Sequence, residues 1–117
     1  MNIFKQLLGG GGNGLSAQDA QARLTEATPP LLVDVRQPDE YRGGHIPGAK
    51  LIPLDQLGKK LKELPRDREI ICVCRSGARS GAAARQLRDA GYTTLNLNGG
   101  MMAWQRAGLP VERGNGR

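Results

Sequence analysis

Short, nearly continuous apolar runs recur along the chain, each bounded by Pro, Gly or charged residues: Leu31-Leu32-Val33-Asp34-Val35, Ile70-Ile71-Cys72-Val73 and Thr94-Leu95-Asn96-Leu97. This is the pattern of strands covered on both faces. Between them the apolar spacing lengthens to that of helices. Ser16 is placed to cap a helix expected over 17–26, with Asp19 in position for a capping box, and Pro29-Pro30 closes that region. Gln37-Pro38-Asp39-Glu40 starts a short helix with proline near its first position, where a missing N–H costs nothing. Leu54, Leu57, Leu61 and Leu64 give one apolar stripe with Lys59, Lys60 and Lys62 outside it, so a single helix is expected up to Pro65. Residues 80–90 form the helix after the Ile70 run, with Gly91 as its C-cap, and Asn98-Gly99-Gly100 turns into a last helix through Met101, Met102, Trp104 and Arg106. A short strand is expected near 50–53, and Leu15 is a candidate for a brief edge strand.

Strands alternating with helices argue for an α/β fold, a parallel sheet with right-handed crossovers and helices on both faces. At the N-terminus Ile3, Phe4, Leu7 and Leu8 fall on one side of a short helix, followed by the flexible Gly9-Gly10-Gly11-Gly12-Asn13-Gly14 linker. The expected division is therefore residues 1–14 as a loosely tethered head, 15–112 as the domain and 113–117 as a disordered tail. At 117 residues there is room for one core. Its only aromatic residues are Phe4, Tyr41, Tyr92 and Trp104, so that core must come from Leu, Ile, Val and Ala.

Seventeen Lys and Arg against eleven Asp and Glu give a formal net charge of +6, which favours anionic partners. Nucleic acid is disfavoured, because the basic residues are scattered and few aromatics exist for base stacking. No stretch is apolar enough to cross a membrane, and the N-terminus has no apolar core or cleavage site of a signal peptide. Cys72 and Cys74, two residues apart on one strand, are poorly placed for a disulfide. Free thiols point to a reducing compartment, here the cytoplasm. No metal site or cofactor is implied, and a monomer is expected.

The stretch Cys74-Arg75-Ser76-Gly77-Ala78-Arg79-Ser80 follows a strand and opens a helix. A loop of small residues there can curl until its backbone N–H groups converge above the sulfur, a cradle for an anion. Those dipoles, the helix terminus and the flanking Arg75 and Arg79 favour thiolate over thiol, which makes Cys74 a candidate nucleophile. Cys72, inside an apolar strand, reads as a core residue, with a resolving-thiol role only after a backbone shift.

In order and spacing, Asp34-Val35-Arg36, Glu40-Tyr41, Gly44-His45-Ile46-Pro47-Gly48-Ala49 and Cys74-Arg75-Ser76-Gly77 resemble the rhodanese-like sulfurtransferases over residues 15–111. The resemblance implies a three-layer rhodanese-like fold with five parallel strands and the catalytic strand near the centre. It also implies a thiosulfate sulfurtransferase, in which Cys74 takes the outer sulfur of thiosulfate as a persulfide and passes it to cyanide, a thiol, thioredoxin or another protein. The N–H groups from Arg75 through Ser80 would hold that persulfide. Arg79 either neutralises an incoming dianion or pairs with an acidic group, and two arginines in the loop argue against mercaptopyruvate as donor. Asp34 and Arg36 match family positions, where bracing by hydrogen bonds is the favoured role, and Arg36 is near enough in sequence to pair with Glu40. His45 matches a structural turn, not a Cys-His dyad, and Gly99 and Gly100 let the chain turn beside the loop. Two alternatives stand beside this. One is a persulfide carrier or interaction module without turnover of small donors. The other is a cysteine phosphatase or arsenate reductase, against which count four residues between Cys74 and Arg79 instead of five and Val73 where a histidine is common.

Overall fold

The structure is a computed structural model and describes residues 13–115. The expected helix through Ile3 and Leu8, and the linker up to Gly12, lie outside the described residues. Five parallel strands, β1 (Gly14–Leu15), β2 (Leu31–Asp34), β3 (Lys50–Leu51), β4 (Ile70–Val73) and β5 (Thr94–Leu97), form one sheet in the order β1-β5-β4-β2-β3. Among the described residues four α-helices connect them, α1 (Ala17–Leu24), α2 (Pro38–Arg42), α3 (Leu57–Lys60) and α4 (Ala78–Asp89), and a fifth, α5 (Gly100–Arg106), follows β5.

Alternation along the buried strands sends successive side chains to opposite layers. Leu32, Ile71, Val73, Leu95 and Leu97 join Ala17, Ala20, Met101 and Trp104 in one apolar layer, packed with α1 and α5. Val33, Ile70, Cys72 and Cys74 join Leu57, Ala83, Ala84, Leu87 and Tyr92 in the other, under α3 and α4. Complete burial of Ile70, Ile71 and Leu87 is worth about 1.5–3 kcal/mol each. Strand β4 sits third of five and is fully buried along its length, which places whatever follows it in the middle of the sheet's C-terminal edge.

Element boundaries differ from expectation where side chains take over backbone bonds. Ser16 Oγ caps α1 by accepting from Asp19 N–H at 3.0 Å, but the helix stops at Leu24 because Thr25 N–H and Oγ1 both turn back to Ala22 O. The leucine stripe from Leu54 to Leu64 is not one helix. It is a 3₁₀ turn (Leu54–Gln56), the single α turn of α3 and a second 3₁₀ turn (Leu61–Glu63). Buried Tyr92 donates its hydroxyl to Leu61 O at 2.5 Å and to Leu64 O at 3.2 Å, carbonyls at the end of the segment. Helix α4 begins at Ala78, two residues earlier than expected, and ends in the expected glycine cap: Gly91 has φ +98°, with Tyr92 N–H on Leu87 O.

Gly14, assigned by sequence to the linker, pairs with Asn96 in β1. At the other end, Glu112 forms an antiparallel bridge with His45, and Gly114 N–H donates to Arg42 O at 2.9 Å, so the start of the expected tail lies on the domain.

Candidate functional site

The backbone leaves β4 at Val73 and immediately curls. Gly77, at φ +109°, occupies a conformation that strains any side chain, and it is the N-cap of α4. That turn brings Gly77 N–H to 3.0 Å from Cys74 Sγ, and Ser80 Oγ lies 3.3 Å from the same sulfur. The carbonyls of Cys74 and Arg75 face the other way. Cys74 O accepts from Met101 N–H at 2.8 Å and Arg75 O from Met102 N–H at 3.0 Å, two donors of the first turn of α5 that have no partner within their own helix. Gly100 (φ +55°) makes this contact possible, since a Cβ there would stand 2.3 Å from Cys74 O. The loop is thus clamped between two helix starts, with N–H groups of Ser76, Gly77 and Ser80 directed at the sulfur and the carbonyls of Cys74 and Arg75 at α5.

Cys74 is almost fully buried at 1% exposure. Burial by itself raises its pKa, but the Ser80 hydroxyl and the N–H groups of Ser80, Gly77 and Ser76 outweigh it, and the net shift is downward. Cys72 lies on the same face two residues earlier, and there burial prevails and pushes the thiol up to about 12. Both cysteines are free.

Arg75, Ser76 and Ala78 are exposed around the mouth, whereas Ser80 is completely buried. Arg79 turns to α2: its Nη1 and Nη2 each donate at 2.8 Å to the two carboxylate oxygens of Glu40. This bidentate pair, aided by the Gln37 N–H on Glu40 Oε1 at 2.9 Å, holds the Glu40 carboxyl down to about 2. The expected nearness of Arg36 to Glu40 does not become a pair. Arg36 instead grips buried Asp34 through Nε at 2.9 Å to Oδ1 and Nη2 at 2.8 Å to Oδ2, and it spends a further N–H on Gly44 O at 2.8 Å. The reason is geometric: Asp34 ends β2 and faces inward, where an unpaired carboxylate would be costly, while Glu40 sits on the outer turn of α2 facing α4. Asp34 and Arg36 therefore tie β2 to the Gly44 turn.

His45 is fully buried and stacked on Tyr41 with ring centroids 3.7 Å apart, its Nδ1 2.8 Å from Tyr41 O. Its Nε2 lies 3.4 Å from Glu112 Oε1, and these contacts fit a turn residue. One residue of the site escaped the sequence reading. Asn96 of β5 places Oδ1 at 2.5 Å from Ser80 Oγ and Nδ2 at 3.2 Å from Gly77 O, so it touches the loop from the neighbouring strand. The signal was present: an amide inside the apolar run Thr94-Leu95-Asn96-Leu97 must find partners.

The Rhodanese-like domain family matches residues 16–107. A sulfurtransferase of Allochromatium vinosum is 41% identical over 100 residues, covering 85% of this chain and 94% of its own. The HTH-type transcriptional regulator Rv0324 of Mycobacterium tuberculosis is 46% identical over 94 residues, which are 79% of this chain but 42% of the regulator. Among solved structures, a rhodanese-related protein of Thermoplasma volcanium superposes with a TM-score of 0.80 at 31% identity, covering 86% of this chain and 97% of its own.

Proposed function

Because this chain belongs to the rhodanese-like domain family, we propose that it is a sulfurtransferase moving the outer sulfur of thiosulfate to cyanide or a thiol acceptor through a Cys74 persulfide. The observation that carries the reading is the Gly77 N–H directed at Cys74 Sγ from 3.0 Å, within a loop whose other donors also lower the thiol. The Cys74 thiolate attacks the outer sulfur of thiosulfate. The new S–S bond forms as the old one breaks, and sulfite leaves with the bonding pair, so one thiolate and one dianion give one persulfide anion and one sulfite dianion. The outer sulfur then carries the charge beneath the loop's N–H groups. Cyanide takes that sulfur as thiocyanate and returns the thiolate; an acceptor thiol takes it as a new persulfide. Exposed Arg75 offers the donor a cation at the mouth, while Arg79 meets it already paired with Glu40. The protein works as a monomer in a reducing compartment, the cytoplasm, a placement supported by its two free cysteines. Among the described residues no helix is long and apolar enough to cross a membrane.

The test is intact mass after incubation of the reduced protein with thiosulfate and then cyanide, beside Cys74→Ser. The expected result is a gain of one sulfur that cyanide removes and the control lacks. No gain while Cys74 still alkylates readily would overturn small-donor transfer and leave a carrier fed by another protein.

A further inference from the structure

The Ser80 hydroxyl has one proton and three acceptors around it: Asn96 Oδ1 at 2.5 Å, Cys74 Sγ at 3.3 Å and Gly77 O at 3.4 Å. The orientation of the Asn96 amide follows from its other contact. Gly77 O can only accept, so Nδ2 faces it at 3.2 Å and Oδ1 is left to face Ser80. Asn96 therefore competes with the sulfur for the same proton. With the hydroxyl donated to Asn96, Ser80 Oγ presents a lone pair to Cys74 and can accept an S–H. When the thiol proton leaves to solvent, the hydroxyl is better placed turned onto the thiolate, and Asn96 Oδ1 loses its donor. The three groups lie side by side by register, since Asn96 of β5 pairs with Cys72 of β4, two residues before the nucleophile.

We infer that Asn96 is a positioning residue which, through the Ser80 hydroxyl, holds the nucleophile's resting form toward the thiol and sets the pH at which the site arms. The inference rests on the Cys74 nucleophile of the proposed function, but its readout needs no sulfur donor.

The experiment is the pH dependence of Cys74 alkylation by iodoacetamide, a neutral probe, in Asn96→Ala, Ser80→Ala and the double variant, with folding checked by circular dichroism. Ser80→Ala raises the midpoint. Asn96→Ala lowers it by about one unit, roughly a tenfold faster reaction below the midpoint. In the Ser80→Ala background the Asn96 change gives no downward shift. Loss of the Asn96 brace on Gly77 O occurs in both backgrounds, so the difference between them isolates the hydroxyl. A second variant, Asn96→Asp, offers the same proton a stronger acceptor and raises the midpoint, by more with Ser80 present than absent. An upward or zero shift in Asn96→Ala, or equal shifts with and without Ser80 in either series, would overturn the inference. Absent shifts with sulfur uptake intact count against this role alone, and normal shifts with no sulfur uptake count against the proposed transfer alone.

Discussion

Cys72 and Cys74 share a strand direction, a face and near-total burial, yet one thiol is pushed up to about 12 and the other lowered. The difference lies in where the neighbouring N–H groups point. Around Cys72 they are engaged in the ladders to β2 and β5, whereas past Val73 the ladder has ended and the curled loop turns its donors onto sulfur. At the same scale, the fold changes the protonation of the Glu40 carboxyl. Its carboxyl is held at about 2 in the fold, against 4.5 ordinarily, first by the hydrogen bonds from Arg79. A depressed pKa means that its contribution is complete above about pH 4.5 and is lost as pH falls toward 2. The pair is partly exposed, so Glu40→Gln costs about 1 kcal/mol or less at neutral pH and flattens the acid limb of a urea-denaturation pH series across that window. Under the proposed transfer from thiosulfate, the same variant releases Arg79 and lowers the KM for that donor. An unchanged KM would show that Arg79 lies out of the donor's reach.

At the scale of elements, the loop keeps its shape because two helices begin on either side of it. Gly100 is the contact point: its φ is +55°, and a Cβ would meet Cys74 O at 2.3 Å, so there is no room for a side chain. Gly108 has a comparable φ of +71° with nothing within 4 Å. Gly108→Ala therefore reports backbone strain alone, about 1 kcal/mol, while Gly100→Ala adds displacement of the loop, loses several kcal/mol in equilibrium denaturation and slows Cys74 alkylation. The glycine pair was legible as a turn beside the loop, and Gly77 as part of a cradle. The broken segment from Leu54 to Glu63 was not, because the leucine stripe fits an α-helix and 3₁₀ turns almost equally, and Tyr92, far along the chain, takes carbonyls at the segment's end.

For the whole molecule, the sheet order sets a gradient of stability. Strand β4 is flanked by β2 and β5 and buried at every position, whereas β1 contributes two residues at an edge. Native-state hydrogen exchange should be slowest in β4 and β2, with amides of β4 opening only by global unfolding, and faster by orders of magnitude in β1. Exchange of β4 as fast as that of β1 would contradict the reading of β4 as the anchor from which the Cys74 loop springs.

The linear order of residues determined the strand and helix alternation, the parallel sheet and the strand–loop–helix around Cys74, because each depends on local propensity and on periodicity within a dozen residues. It also carried the motifs of the family. What only the tertiary structure decided are pairings between distant positions: Arg79 with Glu40 rather than a free cation, Arg36 with Asp34 rather than Glu40, and Asn96 against Ser80. Charge and hydrogen-bonding capacity are properties of single residues, but which partner satisfies them depends on distances that only the packed sheet and its helices establish.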